Sequence, residues 1–260
     1  MQIMPNIFLH LTGVPLRSTP AGEKCVMPKE NHQIGGRTMD EFAAAGSQRW
    51  LQIAINRYST IINSAFQEVL GLSPNDNIDW ASPLRADQFK EYRDMEALRR
   101  LGVQSLSRRK LREFWPNRGP VWDALARTTS GELIFVEAKA HIAEAASPGT
   151  KASMNSLELI KQSLAEARRF YAPKATAEWS GIFYQYANRL AHHYLFRELN
   201  QLPSHLVFLY FINAADVGGP GAKLEWQGAI QLLHAALGLA PGKLPHGVHE
   251  VFLDASVLKC

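Results

Sequence analysis

Three charged residues stand inside two otherwise apolar segments of the stretch VWDALARTTSGELIFVEAKAH, Val121 to His141: Asp123, Glu137 and Lys139. Unpaired charge beside a core is costly, so residues of these types at these positions call for compensation. Two carboxylates brought within reach of each other supply the oxygen donors that a hard divalent cation such as magnesium prefers.

Whether they meet depends on the hairpin between them. Thr129, Ser130 and Gly131 read as a three-residue loop with glycine last, where such a hairpin needs a left-handed residue. Pairing is then symmetric about Ser130. Thr128 faces Glu132, and Asp123 falls opposite Glu137 with Cβ atoms about 4.5–5.5 Å apart. Alternation puts Glu137, Lys139 and His141 on one face and Val136, Ala138 and Ala140 on the other. Like charges directly opposite destabilise a sheet, and a cation between them removes the repulsion. A two-residue loop would slip the pairing by one and separate the carboxylates, so the site rests on Gly131.

The surrounding pattern predicts α/β architecture. Residues 1–38 lack sustained periodicity and read as a loosely ordered extension. Residues 39–260 read as a single domain with C-terminal helix and strand additions. From Asp40, a candidate cap, Phe42, Leu51, Ile55, Ile62, Phe66 and Leu70 fall near helical spacing and predict one or two helices. The segment from Asp87 to Gly102 reads as helical, and Leu111 to Trp115 as a short strand. Beyond the hairpin, NSLELIKQSLAEARRFY predicts a helix with Asn155 and Glu158 as an approximate capping box, and another helix spans about Ser180 to Asn200. The continuous apolar run HLVFLYFINA predicts a strand covered on both faces. A helix near Glu225 to Leu237 and a last strand in HEVFLDAS follow.

An aspartate on one strand, a hairpin, then Glu-Ala-Lys on the next resembles the PD-(D/E)xK nuclease superfamily, with its restriction-endonuclease-like mixed sheet flanked by helices in an α-β-β-β-α-β core. GPVWDALA supplies the aspartate, with Pro120 three residues before it rather than adjacent, and VEAKAH supplies the E-x-K; the likeness covers about Asp87 to Asn213. It implies a metal-dependent phosphodiesterase acting on nucleic acid, DNA before RNA. Asp123, Glu137 and the Ala138 backbone carbonyl would hold Mg2+ or Mn2+, and Lys139 would orient the attacking water and stabilise growing phosphate charge. The superfamily often adds an acid on the helix before the sheet, for which Glu68, Glu91 and Glu96 are candidates and Glu96 is singled out; Gln48 could replace an acid there. His141, Lys161 and Gln162 are accessory candidates. Cutting both strands of a duplex would call for a homodimer. The alternative function is a catalytically silent, nuclease-like module that binds nucleic acid or protein. The structural alternative is a cross-strand salt-bridge cluster on a solvated sheet face.

Ten cationic residues against five acidic ones lie between Arg85 and Arg118, an excess larger than the whole chain's +4. With Phe89, Tyr92, Phe114 and Trp115 interleaved, Arg108, Arg109, Lys110, Arg112 and Arg118 could track a nucleic-acid backbone; the competing reading is a solvated face over buried aromatics. The global pI near 9.1 decides little by itself.

Several signals fail on spacing. VGGPGAK is not a phosphate-binding loop, because alanine precedes Lys223 and leucine follows it. His192 and His193 are adjacent on a helix and cannot chelate together. His246 and His249 lack a second ligand pair. The only cysteines, Cys25 and Cys260, have no ligand spacing, so a reducing cytoplasm is expected. The apolar start has no basic region and is interrupted by Pro5 and His10, which argues against a signal peptide. With 46% hydrophobic residues but no apolar run of about 18, the chain predicts a packed core and no membrane span.

Overall fold

The computed structural model describes residues 41–240 and 242–258, all within one compact unit. The extension over residues 1–38, the Asp40 cap and both cysteines lie outside the described residues.

Helices α1 (Gly46–Arg57) and α2 (Ser59–Leu70) open the fold. The predicted periodicity is realised: Leu51, Ile55, Ile62 and Phe66 are buried. No side chain of the preceding residue caps α1. Instead Asp216, 170 residues away, accepts the Gly46 N–H at 2.8 Å and the Trp50 indole N–H at 2.6 Å, placing an anion at the positive end of the helix.

Among the described residues seven strands follow: β1 (Ile78–Ser82), β2 (Tyr92–Arg93), β3 (Val121–Trp122), β4 (Ala124–Thr128), β5 (Leu133–Lys139), β6 (Ser204–Ile212) and β7 (Val248–Asp254). The main sheet has the order β1-β4-β5-β6-β7, antiparallel through β5 and parallel from β5 to β7, while β2 and β3 form a separate ladder. Helices α3 (Asp94–Arg100) and α4 (Leu111–Phe114) lie between β2 and β3. Helices α5 (Met154–Tyr171) and α6 (Tyr184–His193), the latter continued by a π-helical turn to Leu199, fill the crossover from β5 to β6, and α7 (Lys223–Leu237) the one from β6 to β7. The result is a five-stranded mixed sheet with helices on both faces.

Strand alternation sorts two cores. Ile134, Val136, Ala138, Val207 and Leu209 pack with the residues of α1 and α2, whereas Leu133, Phe135, Leu206, Phe208 and Tyr210 join α5, α6 and α7. The β6 strand is buried along nearly its whole length, as its apolar run predicts. Among the described residues no helix is long and apolar enough to cross a membrane.

Three local expectations are corrected. Leu111 to Trp115 is not a strand: Leu111–Phe114 is a helical turn, with the Lys110 N–H bonded to the Glu113 carboxylate at 3.2 Å and Pro116 following it. Leu111, Phe114 and Trp115 have the i, i+3, i+4 spacing of a buried helix face, which outweighs their β propensity. The helix expected from Asp87 to Gly102 shrinks to Asp94–Arg100, because Gln88, Phe89 and Asp94 adopt positive φ of 53°, 55° and 53°. Asp94 uses that conformation to accept the N–H groups of Arg118 and Gly119. The edge strand β1 lies in IDWAS, between turn signals and too short to show a period. On α5 the N-cap is Ser153 rather than Asn155.

Candidate functional site

The hairpin has the expected loop. Gly131 has φ 97°, its N–H bonds to Thr128 O at 2.9 Å, and the Thr128 N–H bonds to Glu132 O at 2.9 Å. Asp76 clasps the loop from outside, accepting from the Thr129 hydroxyl, the Ser130 N–H and the Ser130 hydroxyl. The Ser130 hydroxyl, first among these donors, holds the Asp76 carboxyl below its usual range. The ladder then runs from Arg127↔Leu133 to Ala124↔Val136, the register symmetric about Ser130.

One step further out, Asp123 would face Glu137, but regular pairing ends there. Asp123 bends between β3 and β4, donates its N–H to Val136 O at 3.2 Å, and turns its carboxylate onto the Ala138 N–H at 2.7 Å. Asp123, Glu137 and Lys139 nevertheless line one open cleft of about 470 Å³. The face is not the solvated one of a surface salt-bridge cluster, for Glu137 is only 3% exposed.

Polar side chains from α6 line the opposite wall of the cleft. Gln185, Asn188 and Arg189 are spaced i, i+3, i+4 and present one polar face toward β5. Arg189, 6% exposed, donates Nε–H to one oxygen of Glu137 at 2.6 Å, brings Nη2 within 2.6 Å of the same oxygen as an ion pair, donates from Nη2 to Val121 O at 2.9 Å, and lies 5.2 Å from the Trp122 ring centroid. Lys139 takes the other Glu137 oxygen at 2.5 Å and reaches Gln185 Oε1 at 3.3 Å. Asn188 is buried and its Oδ1 has no hydrogen-bond partner.

Charge in the cleft is unevenly distributed. Burial, then the Glu137 charge, pushes Asp123 up to about 7 despite Lys139, Arg189 and the Ala138 N–H. Burial acts the same way on Glu137 but is outweighed by Arg189 and Lys139, which hold it below the usual carboxylate range. For Lys139, burial favours the neutral amine, yet Glu137 and Asp123 prevail and keep it firmly protonated. Near neutrality the cleft therefore presents three cations, Lys139, Lys151 and Arg189, against one fully ionised and one partly ionised carboxylate, an arrangement that receives an anion.

The same oxygens suit a hard cation. Among the described residues Asp123 Oδ1 has no protein donor and Asn188 Oδ1 is orphaned. The mutual repulsion that raises Asp123 is what a divalent ion would relieve. No three His, Cys, Asp or Glu residues gather as a metal group among the described residues, so Asp123 and Glu137 would be joined by amide or carbonyl oxygen, from Asn188 and from Ala138.

Of the acids considered for the preceding helix, Glu96 is corrected: it is exposed on α3 and pairs with Lys90 at 3.4 Å. Glu68 is exposed on α2. Glu91 is the one within electrostatic reach. Its pKa is raised, first by burial and, after a lowering hydrogen bond from Gln48, by the Glu137 charge. Gln48 on α1 donates to it at 2.9 Å, so the two candidates form one pair. Lys161 and Gln162 are exposed on α5 and line a different cavity, with Trp179. His141 is also outside the cleft; its Nδ1 accepts the Ala143 N–H and starts a turn.

The cationic stretch divides likewise. Arg112 is bound to Asp94 at 2.9 Å and to the Pro116 carbonyl, and Arg109 bonds to Glu113 O at 3.1 Å, so both hold their loop together. Arg108 and Lys110 are exposed and line neither this cleft nor its neighbour. Arg118 lines a second cleft adjoining the first. His192 and His193 diverge as expected, one bonding Asn188 O and the other Ser204 O.

The chain matches no protein-family model, no curated protein and no solved structure.

Proposed function

We propose that the cleft hydrolyses phosphodiester bonds of nucleic acid, DNA before RNA, with a divalent cation, and that the fold is a restriction-endonuclease-like one. The observation that carries this reading is that Asp123, Glu137 and Lys139 line one cleft at the open end of the β4–β5 hairpin. With β2, α3, α4 and β3 inserted between β1 and β4, and β7 added after β6, the order of helices, three antiparallel strands, helices and a parallel strand follows the core that the motif implies.

Asp123 and Glu137 would hold Mg2+ or Mn2+, with Asn188 and the Ala138 carbonyl completing the oxygen set. When bound, the cation lowers the pKa of an attacking water and neutralises phosphate charge. Lys139, fixed between Glu137 and Gln185, orients the water and stabilises the charge that grows on the phosphate. Arg189 holds the Glu137 carboxylate against the strand and keeps it ionised.

The rival reading, a module that binds nucleic acid or protein without turnover, draws on the same arginine. Both Glu137 oxygens are engaged by cationic side chains, so a metal must share or displace one of them. Incubating labelled single-stranded DNA, duplex DNA and RNA with Mg2+ or Mn2+ separates the two. Hydrolysis predicts cleavage of at least one substrate by the parent and a loss of about 10²–10³-fold in Lys139→Ala. Retention of nucleic acid with no cleavage of any of the three favours the binding module.

A further inference from the structure

The cleft around Asp123 continues into a second one of about 350 Å³, and the two share Thr150, Lys151 and Tyr184. The second cleft runs between the loop of Arg118 and the start of α5. Its lining contains two cationic side chains, Arg118 and Lys151, the hydroxyls of Ser153 and Ser156, and no acidic residue. Among the described residues neither cation has an acidic side chain within ion-pairing distance, unlike Arg100, Arg109 and Arg112 of the same stretch.

Arg118 is set in place by the backbone. It adopts φ 66°, unusual outside glycine, and Asp94 holds that conformation by accepting the N–H groups of Arg118 and Gly119. The Asp94 carboxylate is thus spent on the loop and on Arg112, and the guanidinium of Arg118 is left for the cleft. Tyr184 stands at the junction, half-buried and lining both clefts. A cationic groove beside an accessible aromatic ring is the pairing that binds unpaired nucleotides: cations follow the phosphates, and the ring takes a base face that a duplex keeps stacked.

We propose that the second cleft holds the nucleotide adjoining the phosphodiester at Asp123 and Lys139, with its phosphate on Arg118 and Lys151 and its base on Tyr184. The strand engaged is therefore single. Naming the adjoining phosphodiester rests on the hydrolytic reading; the strand preference does not.

Fluorescence anisotropy with a labelled single-stranded oligonucleotide and the corresponding duplex, using the full chain in chelator, tests it without turnover. The single strand binds at least tenfold more tightly. Tyr184→Ala weakens that binding about tenfold while Tyr184→Phe retains it. Arg118→Ala and Lys151→Ala each reduce the slope of log affinity against log salt by about 0.7. No binding of the single strand, equal binding of the duplex, or unchanged affinity in Tyr184→Ala overturns the proposal. Binding with these variant effects but no cleavage under any metal would remove the hydrolytic reading and leave this one. Cleavage by a protein whose affinity ignores Tyr184 would do the reverse.

Discussion

Arg189 Nε and Nη2 converge on a single oxygen of Glu137 at 2.6 Å, with both side chains less than a tenth exposed. Removing Arg189 leaves the buried Glu137 charge to Lys139 alone, and breaking a buried pair costs up to about 3–5 kcal/mol. Arg189→Met is therefore strongly destabilising in urea unfolding. Adding Glu137→Gln to it restores at least half the loss. If the double variant is no more stable than the single one, the pair is not what holds α6 against β5.

The hairpin rests on Gly131. Its φ of 97° suits glycine, and an added Cβ would meet Arg127 Nη2 at 3.3 Å. Gly131→Ala costs about 1–2 kcal/mol of stability. Any relaxation that slips the pairing by one turns Asp123 away from Glu137, so activity falls further than stability does. Parallel measurements of melting and cleavage check this; equal, small losses in both would detach the site from the loop.

Register was legible because it follows from glycine position and from parity, both local properties. The parity argument foresaw the co-facial carboxylates but not the bend at Asp123, where the carboxylate turns to the Ala138 N–H. Arg189 and Asn188 were missed although YQYANRLAHH carries a signal: Gln185, Asn188 and Arg189 at i, i+3 and i+4 on one side of the helix. Which strand that face meets is set by the crossover from β5 to β6, a long-range relation that periodicity does not encode. Similarly, Glu91 and Glu96 were indistinguishable until the left-handed turns before α3 put one beside Gln48 and the other in solvent.

Metal-free Asp123 keeps its proton up to about pH 7. An unfolded aspartate ionises near 3.9, so its raised folded pKa favours the folded chain at low pH and costs stability as pH rises through 7. A cation that needs the carboxylate must displace that proton, so its affinity climbs with pH across the same range. Melting scans with Mn2+ accordingly show a larger metal-induced rise at pH 8 than at pH 6. An equal rise at both would mean that the metal binds elsewhere.

Acid acts on different groups. Burial, the largest cause, pushes His192 and His193 down to about 3 and His249 down to about 4. In the unfolded chain they take up protons near 6.5, so each withdraws about 1.4 kcal/mol of stability per pH unit as pH falls from there toward the folded value. Asp123 and Glu250, both raised to about 7 chiefly by burial, pull the other way, so the histidine contribution is read by comparison with a variant. In urea unfolding in chelator the parent should lose more stability between pH 7 and pH 5 than His192→Gln does, and equal losses would contradict a buried neutral imidazole at that position.

The most direct measurement is the initial rate of strand cleavage against Mg2+ concentration for the parent and Asp123→Ala on the best of the three nucleic-acid substrates. The rate for the parent should saturate with metal, and Asp123→Ala should lose about a hundredfold or more while remaining folded. A parent that cleaves nothing at any metal concentration, or an Asp123→Ala variant with the parent's rate, would contradict the assignment of this cleft as a metal-dependent phosphodiesterase.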